Sequence, residues 1–255
     1  MSNVRALWRK RAMVTFAVYL MQAEALAGWY EIHNYTGNIG TLPVHVSLQN
    51  YAYVSESREW RIEGSYYYDR HRIPIPLLGT VAPSGEMTLC EAEAPNRPYD
   101  GARVPHPSKA HPNSCPLALT QTAEGVGGLW DDGRHRLPVT LKQIGSLDNR
   151  HNDQLQLGGV VEIPMWFHPR GGMLVGIYTD EPDCGITMSH VRLVSVDNGS
   201  TVGEWPLECG AGMLMTTVYE NVARAAKSGQ VVVEFVGGKM GYEELLDLNT
   251  GKVTK

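Results

Sequence analysis

His106 and His111 stand five residues apart in a proline-rich stretch, and the acidic run Asp180-Glu181-Pro182-Asp183 abuts Cys184. Two imidazoles could begin a metal site, but zinc needs further ligands, usually in closely spaced pairs. The acidic run offers carboxylates to calcium, yet it lacks the alternating oxygen ligands and the turn glycine of a calcium loop. A third polar stretch, Asp148-Asn149-Arg150-His151-Asn152-Asp153, also holds ligand-capable oxygens without a recognised geometry. The bland readings are a solvated loop, an acidic surface turn and a polar connection. The chain has no G-x-S-x-G elbow, no H-E-x-x-H, no phosphate-binding G-x-x-x-x-G-K-[ST] and no G-x-G-x-x-G between strand and helix. The sequence therefore names no catalytic residue, no metal and no cofactor. A triad assembled in space from distant residues stays open.

Binding chemistry is more legible at Tyr66-Tyr67-Tyr68. On a strand, Tyr66 and Tyr68 face one way and Tyr67 the other. Tyr67 then shares a face with Arg61 and Glu63, and Arg70 follows shortly after. An exposed face of that composition suits a protein partner or a sugar. The alternative is that Tyr66 and Tyr68 fill the core while Tyr67 pairs across strands.

The four cysteines set the compartment. None forms a C-x-x-C pair; Cys90 and Cys115 are 25 residues apart, as are Cys184 and Cys209. In an oxidising compartment the local pairings Cys90–Cys115 and Cys184–Cys209 are the simplest of the three possible connectivities. Each bridge would contribute roughly 3–4 kcal/mol by loop closure. A four-thiolate zinc site is disfavoured by the missing paired spacing.

The amino terminus agrees. Arg5, Arg9, Lys10 and Arg11 precede an apolar run from Ala12 to about Leu20, and Ala25-Leu26-Ala27 places small residues at a cleavage spacing. This is the layout of a secretory signal peptide covering residues 1–27. Gln22 and Glu24 interrupt the run, which is too short to span a bilayer core of about 30 Å. Removing it takes four of the 22 basic and one of the 27 acidic side chains, leaving a mature net charge of −8. Such a chain is a poor partner for nucleic acid or anionic lipid and a better one for a basic protein. A periplasmic or secreted location is expected, with no membrane span in the mature form.

The elements that would position these groups are strands. From Glu59 to Ala94 three runs alternate in period two: Trp60, Ile62, Tyr66 and Tyr68; Ile73, Ile75, Leu77 and Val81; Met87 and Leu89 after Pro83-Ser84-Gly85. That alternation predicts an antiparallel meander. Leu42, Val44, Val46 and Leu48 predict an earlier strand, with Pro43 at its start or on an edge. A proline-rich loop over 95–115 would be tied at its ends by Cys90–Cys115. Gly127 to Gly133 leads into Leu137-Pro138-Val139, echoing Tyr35 to Gly40 leading into Leu42-Pro43-Val44. Either a second copy of the opening unit or one larger sheet explains the echo. Hairpins are expected around Gly171-Gly172, around Asp197-Asn198-Gly199-Ser200 and at the carboxyl end. A strand is expected over Val231 to Val236, and one helix over 213–227, ended by Gly229. The fold class is thus mainly β, antiparallel and meander- or barrel-like, in two units, 28–122 and 123–255.

At Tyr35-x-Gly37, Gly64-Ser65-Tyr66-Tyr67-Tyr68, Ile75-x-Leu77-x-Gly79 and Leu89-x-Glu91, the chain resembles a family of secreted bacterial β-meander proteins, most without an assigned function. The resemblance covers roughly residues 30–94 and implies strand punctuation, with no catalytic residue. More distantly the chain is similar to small periplasmic β-barrels that inhibit lysozyme, although their functional loop motif has no counterpart here. The expected function is non-enzymatic: a protein-binding inhibitor or immunity protein against an envelope-acting enzyme or toxin. The alternatives are a peptidoglycan-binding module and, third, a hydrolase with an unrecognised site.

Overall fold

The computed structural model describes residues 30–51, 60–92, 115–123, 125–149, 155–165, 172–207, 209, 230–235, 242–248, 250 and 252–254. The expected signal peptide, most of the proline-rich loop with His106 and His111, and the helix over 213–227 lie outside them.

Alternation of apolar and polar residues builds eight long strands: β1 (Tyr30–Ile39), β2 (Leu42–Tyr51), β3 (Trp60–Tyr68), β4 (Ile75–Val81), β5 (Glu86–Glu91), β6 (Leu117–Thr122), β7 (Gly125–Asp131) and β8 (Arg136–Asp148). Each pairs antiparallel with the next, and β8 returns to β1, from Glu31 opposite Asp148 to Ile39 opposite Val139. The meander is thereby a closed barrel, which leaves no unpaired edge between its first and last strands. The two Leu-Pro-Val strands, β2 and β8, flank β1 in that one barrel. The boundary expected at 122/123 falls in the β6–β7 hairpin, so residues beyond it supply two of the barrel's eight strands.

All eight strands contribute to one buried cluster, including Tyr35, Val46, Ile62, Tyr66, Leu77, Leu89, Leu119, Val126 and Leu141. These residues face one another across the barrel, and the cavity left among them is about 10 Å³. That is about the room of one water, as expected for eight strands closed around their own side chains. Gly64 lies on this inner face, where a Cβ would come 2.1 Å from the Ser47 carbonyl oxygen. Only glycine allows the neighbouring backbone so close. At one end Tyr66 OH donates to Glu91 Oε1 at 2.6 Å, and Trp130 Nε1 donates to the same oxygen at 3.3 Å. Ile73, expected on the inner face, instead stands 51% exposed, because β4 begins only after Pro74.

Beyond the barrel, the short β9 (Gln156–Gly158) pairs with the end of β8. A four-stranded sheet follows: β10 (Val161–Pro164), β11 (Gly172–Glu181), β12 (Gly185–Ser195) and β13 (Thr201–Pro206). The hairpins expected before Met173 and around Asn198-Gly199 are β10–β11 and β12–β13. A three-stranded sheet, β14 (Gln230–Phe235), β15 (Tyr242–Asp247) and β16 (Lys252–Thr254), closes the chain. A second core joins these sheets to the barrel's outer wall, bringing Tyr30, Ile32, Tyr51, Leu78 and Leu147 together with Val161, Ile163, Leu174, Val191 and Leu246. Both local disulfides are formed, Cys90–Cys115 and Cys184–Cys209.

Candidate functional site

Register fixes the outer face of β1, β2 and β3 as a grid. One row runs Ile32, Gln49, Glu63, Leu78; the next runs Asn34, Ser47, Ser65, Pro76; the third runs Thr36, His45, Tyr67. The first two rows are buried although their middles are polar: Gln49, Glu63 and Ser65 are 0% exposed. The exposed face expected for Tyr67, Arg61, Glu63 and Arg70 is therefore corrected. Glu63 is buried in an ion pair with Arg61. Tyr67 is half-buried and packs on Met173, Val175 and Ile177 of β11. Arg70 is exposed in the turn after β3, apart from the others. Alternation identified residues sharing a face, but a second layer covers most of that face.

What remains open beside Tyr67 is a cleft of about 370 Å³ between the barrel wall and β10, lined by residues including Asn34, His45, Ser47, Tyr67, Ile144 and Glu162. His45 stacks on Tyr67 with ring centroids 5.2 Å apart. The His45 Nδ1 lies 2.7 Å from Asp69 Oδ1. Asn34 Nδ2 donates to the Glu162 carbonyl, joining barrel to sheet. Burial raises the Tyr67 phenol well above its ordinary value, and the Glu162 and Asp69 carboxylates push it further. A bulge opposite Asn34 and Tyr35 leaves Ile144 as the extra residue of β8, 49% exposed at the cleft. None of His45, Asp69, Asn34 or Glu162 was singled out by the sequence. Their partnership depends on register and on the docking of β10, which no local spacing encodes.

A larger pocket, about 800 Å³, opens beside the Cys184–Cys209 bridge and is lined by residues including Glu181, Asp183, Thr187, Ser189, His190 and Glu204. The acidic run at the end of β11 and in the turn beyond it thus forms one lip of a pocket. Cys184 N donates to the Glu181 carbonyl, closing that turn, and the bridge ties it to Cys209. A second bulge places Ile177 opposite His190 and Tyr178 opposite Met188, leaving Ser189 as the extra residue. Bulges re-aim side chains, and here Ser189 Oγ comes within 2.8 Å of its neighbour's His190 Nδ1. His190 Nε2 lies 3.4 Å from Glu204 Oε1, without hydrogen-bond alignment. Glu204 is instead engaged by Arg192, whose Nε donates to Oε2 at 2.8 Å. That hydrogen bond holds the Glu204 carboxyl below its usual range. Hydroxyl, imidazole and carboxylate are adjacent, but the carboxylate serves arginine more than histidine. Arg192 also bridges to Glu162 at 3.3 Å, so one guanidinium connects the acidic pocket to the cleft side of β10. Among the described residues no group of three or more His, Cys, Asp or Glu is arranged to hold a metal ion.

No protein-family model and no curated protein matches this chain. Gly37, Gly64 and Gly79, which the sequence marks as strand punctuation, lie at close strand contacts of the barrel, and Tyr66 meets Glu91 at one barrel end.

Proposed function

We propose that this is a non-enzymatic binding protein of an oxidising envelope compartment, which engages a basic partner protein. An inhibitor of an envelope-acting enzyme, or an immunity protein against a delivered toxin, is the role that fits best. The acidic pocket at the Cys184–Cys209 bridge carries this reading. Among the described residues its lining includes Glu181, Asp183 and Glu204, the last already engaged by Arg192, and no lysine or arginine. Neither Glu181 nor Asp183 has an ion-pair partner among the described residues. A partner's guanidinium or ammonium entering there would meet carboxylates already oriented by a cross-linked turn, which lowers the entropy lost on binding. The whole chain carries net charge −5, and a field of that sign accelerates encounter with basic partners. The barrel interior has no space for a ligand, so recognition belongs to the outside.

Affinity capture from a periplasmic extract, with the oxidised protein as bait, tests the proposal. A stoichiometric basic partner released by raised salt is expected. Retention on peptidoglycan with no protein partner would contradict it.

A further inference from the structure

We propose that the Cys184–Cys209 bridge is a thiol–disulfide exchange site, opened by a dithiol that carries no carboxylate or other anion beside its thiols, and that opening it loosens the acidic lip. This rests on the basic-partner reading of that pocket and adds its regulation. The two bridges stand in different surroundings. Cys90 is 4% exposed and lies in β5 opposite Leu78, with Cys115 half-buried. Cys209 is exposed, Cys184 is half-buried, and both line the open pocket of about 800 Å³. Exchange requires a thiolate to reach a disulfide sulfur, and exposed bridges are the labile ones. The pocket gives a reagent that access at Cys184–Cys209, while the barrel wall withholds it at Cys90.

The reagent's thiolate attacks the sulfur of the exposed Cys209, the bridge breaks, and Cys184 leaves as a thiolate that takes a proton. The reagent's second thiol, deprotonated, attacks the mixed disulfide, closes the reagent's own disulfide and releases Cys209 as a thiol. Two electrons pass from dithiol to bridge, and two protons end on Cys184 and Cys209. Charge selects the reagent. The cationic side chains near the pocket, Arg192 and a protonated His190, both face Glu204. Glu181 and Asp183, which flank Cys184, have no ion-pair partner among the described residues. A thiol bearing carboxylates meets repulsion at that lip. Once the bridge is open, the lip turn keeps its hydrogen bond from Cys184 N to the Glu181 carbonyl at 3.2 Å and the pairing of Glu181 with Gly185. It loses its covalent tie to the chain beyond β13, and with it part of the preorganisation that favours binding. The barrel, closed by eight strands and holding its own bridge, is unaffected.

The test is graded reduction of the folded protein with dithiothreitol, quenched by alkylation and mapped by mass spectrometry. Cys184 and Cys209 should become alkylated at least about tenfold faster than Cys90 and Cys115. Equal rates, or earlier opening of Cys90–Cys115, would overturn the proposal. Dimercaptosuccinate, a dithiol with two carboxylates, tests the charge selection. Glu181→Gln/Asp183→Asn should speed its reaction at low salt by a factor about threefold greater than it speeds that of dithiothreitol. Equal acceleration of the two reagents would contradict the proposal. Hydrogen exchange reads the lip in wild-type protein held where only this bridge is open. The Cys184 amide should then exchange at least about tenfold faster than in the oxidised protein. The Ala92 amide, which donates to the Pro76 carbonyl in the barrel, should not change. Unchanged exchange at Cys184 would overturn the loosening. No partner enters these measurements, so their failure leaves the basic-partner proposal standing, and failure to capture a partner leaves the exchange site standing.

Discussion

Glu63 lies between Gln49 and Leu78 on the barrel's outer wall, fully buried and paired with Arg61. A buried carboxylate is tolerated when paired, and removing its partner is far more costly than removing a surface charge. Arg61→Ala should therefore cost about 3 kcal/mol of unfolding free energy. Arg70→Ala, at an exposed turn, should stay within about 0.5 kcal/mol. Denaturant unfolding of the oxidised protein measures both, and equal effects would place Glu63 outside the layer that the fold assigns it. The same residues show what the sequence could and could not reveal. Their alternation put Arg61, Glu63 and Tyr67 on one face correctly. Whether that face meets water or a second sheet depends on residues more than a hundred positions away, and period two is blind to this. The open neighbour of Tyr67 is His45, which stacks on it with a partly exposed ring.

Strands and hairpins were legible wherever local chemistry alone dictates them. Period-two runs gave β2 to β5, Asn198-Gly199 marked the β12–β13 turn, and even cysteine spacing matched the two bridges. Closure of β1 on β8 was not legible, because strand pairing at that separation is encoded only by matched length and register. The bulges that expose Ile144 and aim Ser189 were hidden for the same reason. The β7–β8 hairpin offers a test at this scale. Asp132 Oδ1 accepts from Arg134 N at 2.8 Å and from His135 N at 2.6 Å. Those backbone hydrogen bonds depress its carboxyl from 3.8 to about 2. A depressed folded value means a contribution fully present above about pH 4 and lost as pH falls through about 2. Asp132→Ala should remove that component, so thermal unfolding of wild type and variant should converge as pH is lowered from 5 toward 2. A constant difference across that interval would count against the turn.

As a whole the molecule devotes its interior to itself. A barrel with about 10 Å³ of free space is a support, and what it supports is a covered outer wall, a cleft and an acidic pocket tied by a disulfide. Composition had indicated an acidic, cross-linked β protein, and the acidic run at 180–183 had been visible as residues without a role. Its place on a pocket lip emerged only with the β11–β12 turn and the bridge to Cys209. The central proposal is that this lip recognises a basic protein. It is tested most directly by titrating the partner recovered by capture against the wild-type protein and against Glu181→Gln/Asp183→Asn, at low and at physiological salt. Asp183 is exposed, and the Gln side chain at 181 keeps an oxygen for the hydrogen bond that the half-buried Glu181 accepts from Thr179, so the double variant should fold with near-native Tm. Its affinity should fall about tenfold at low salt, and the difference should narrow as salt is raised. Equal affinity of wild type and variant at low salt would contradict the proposal.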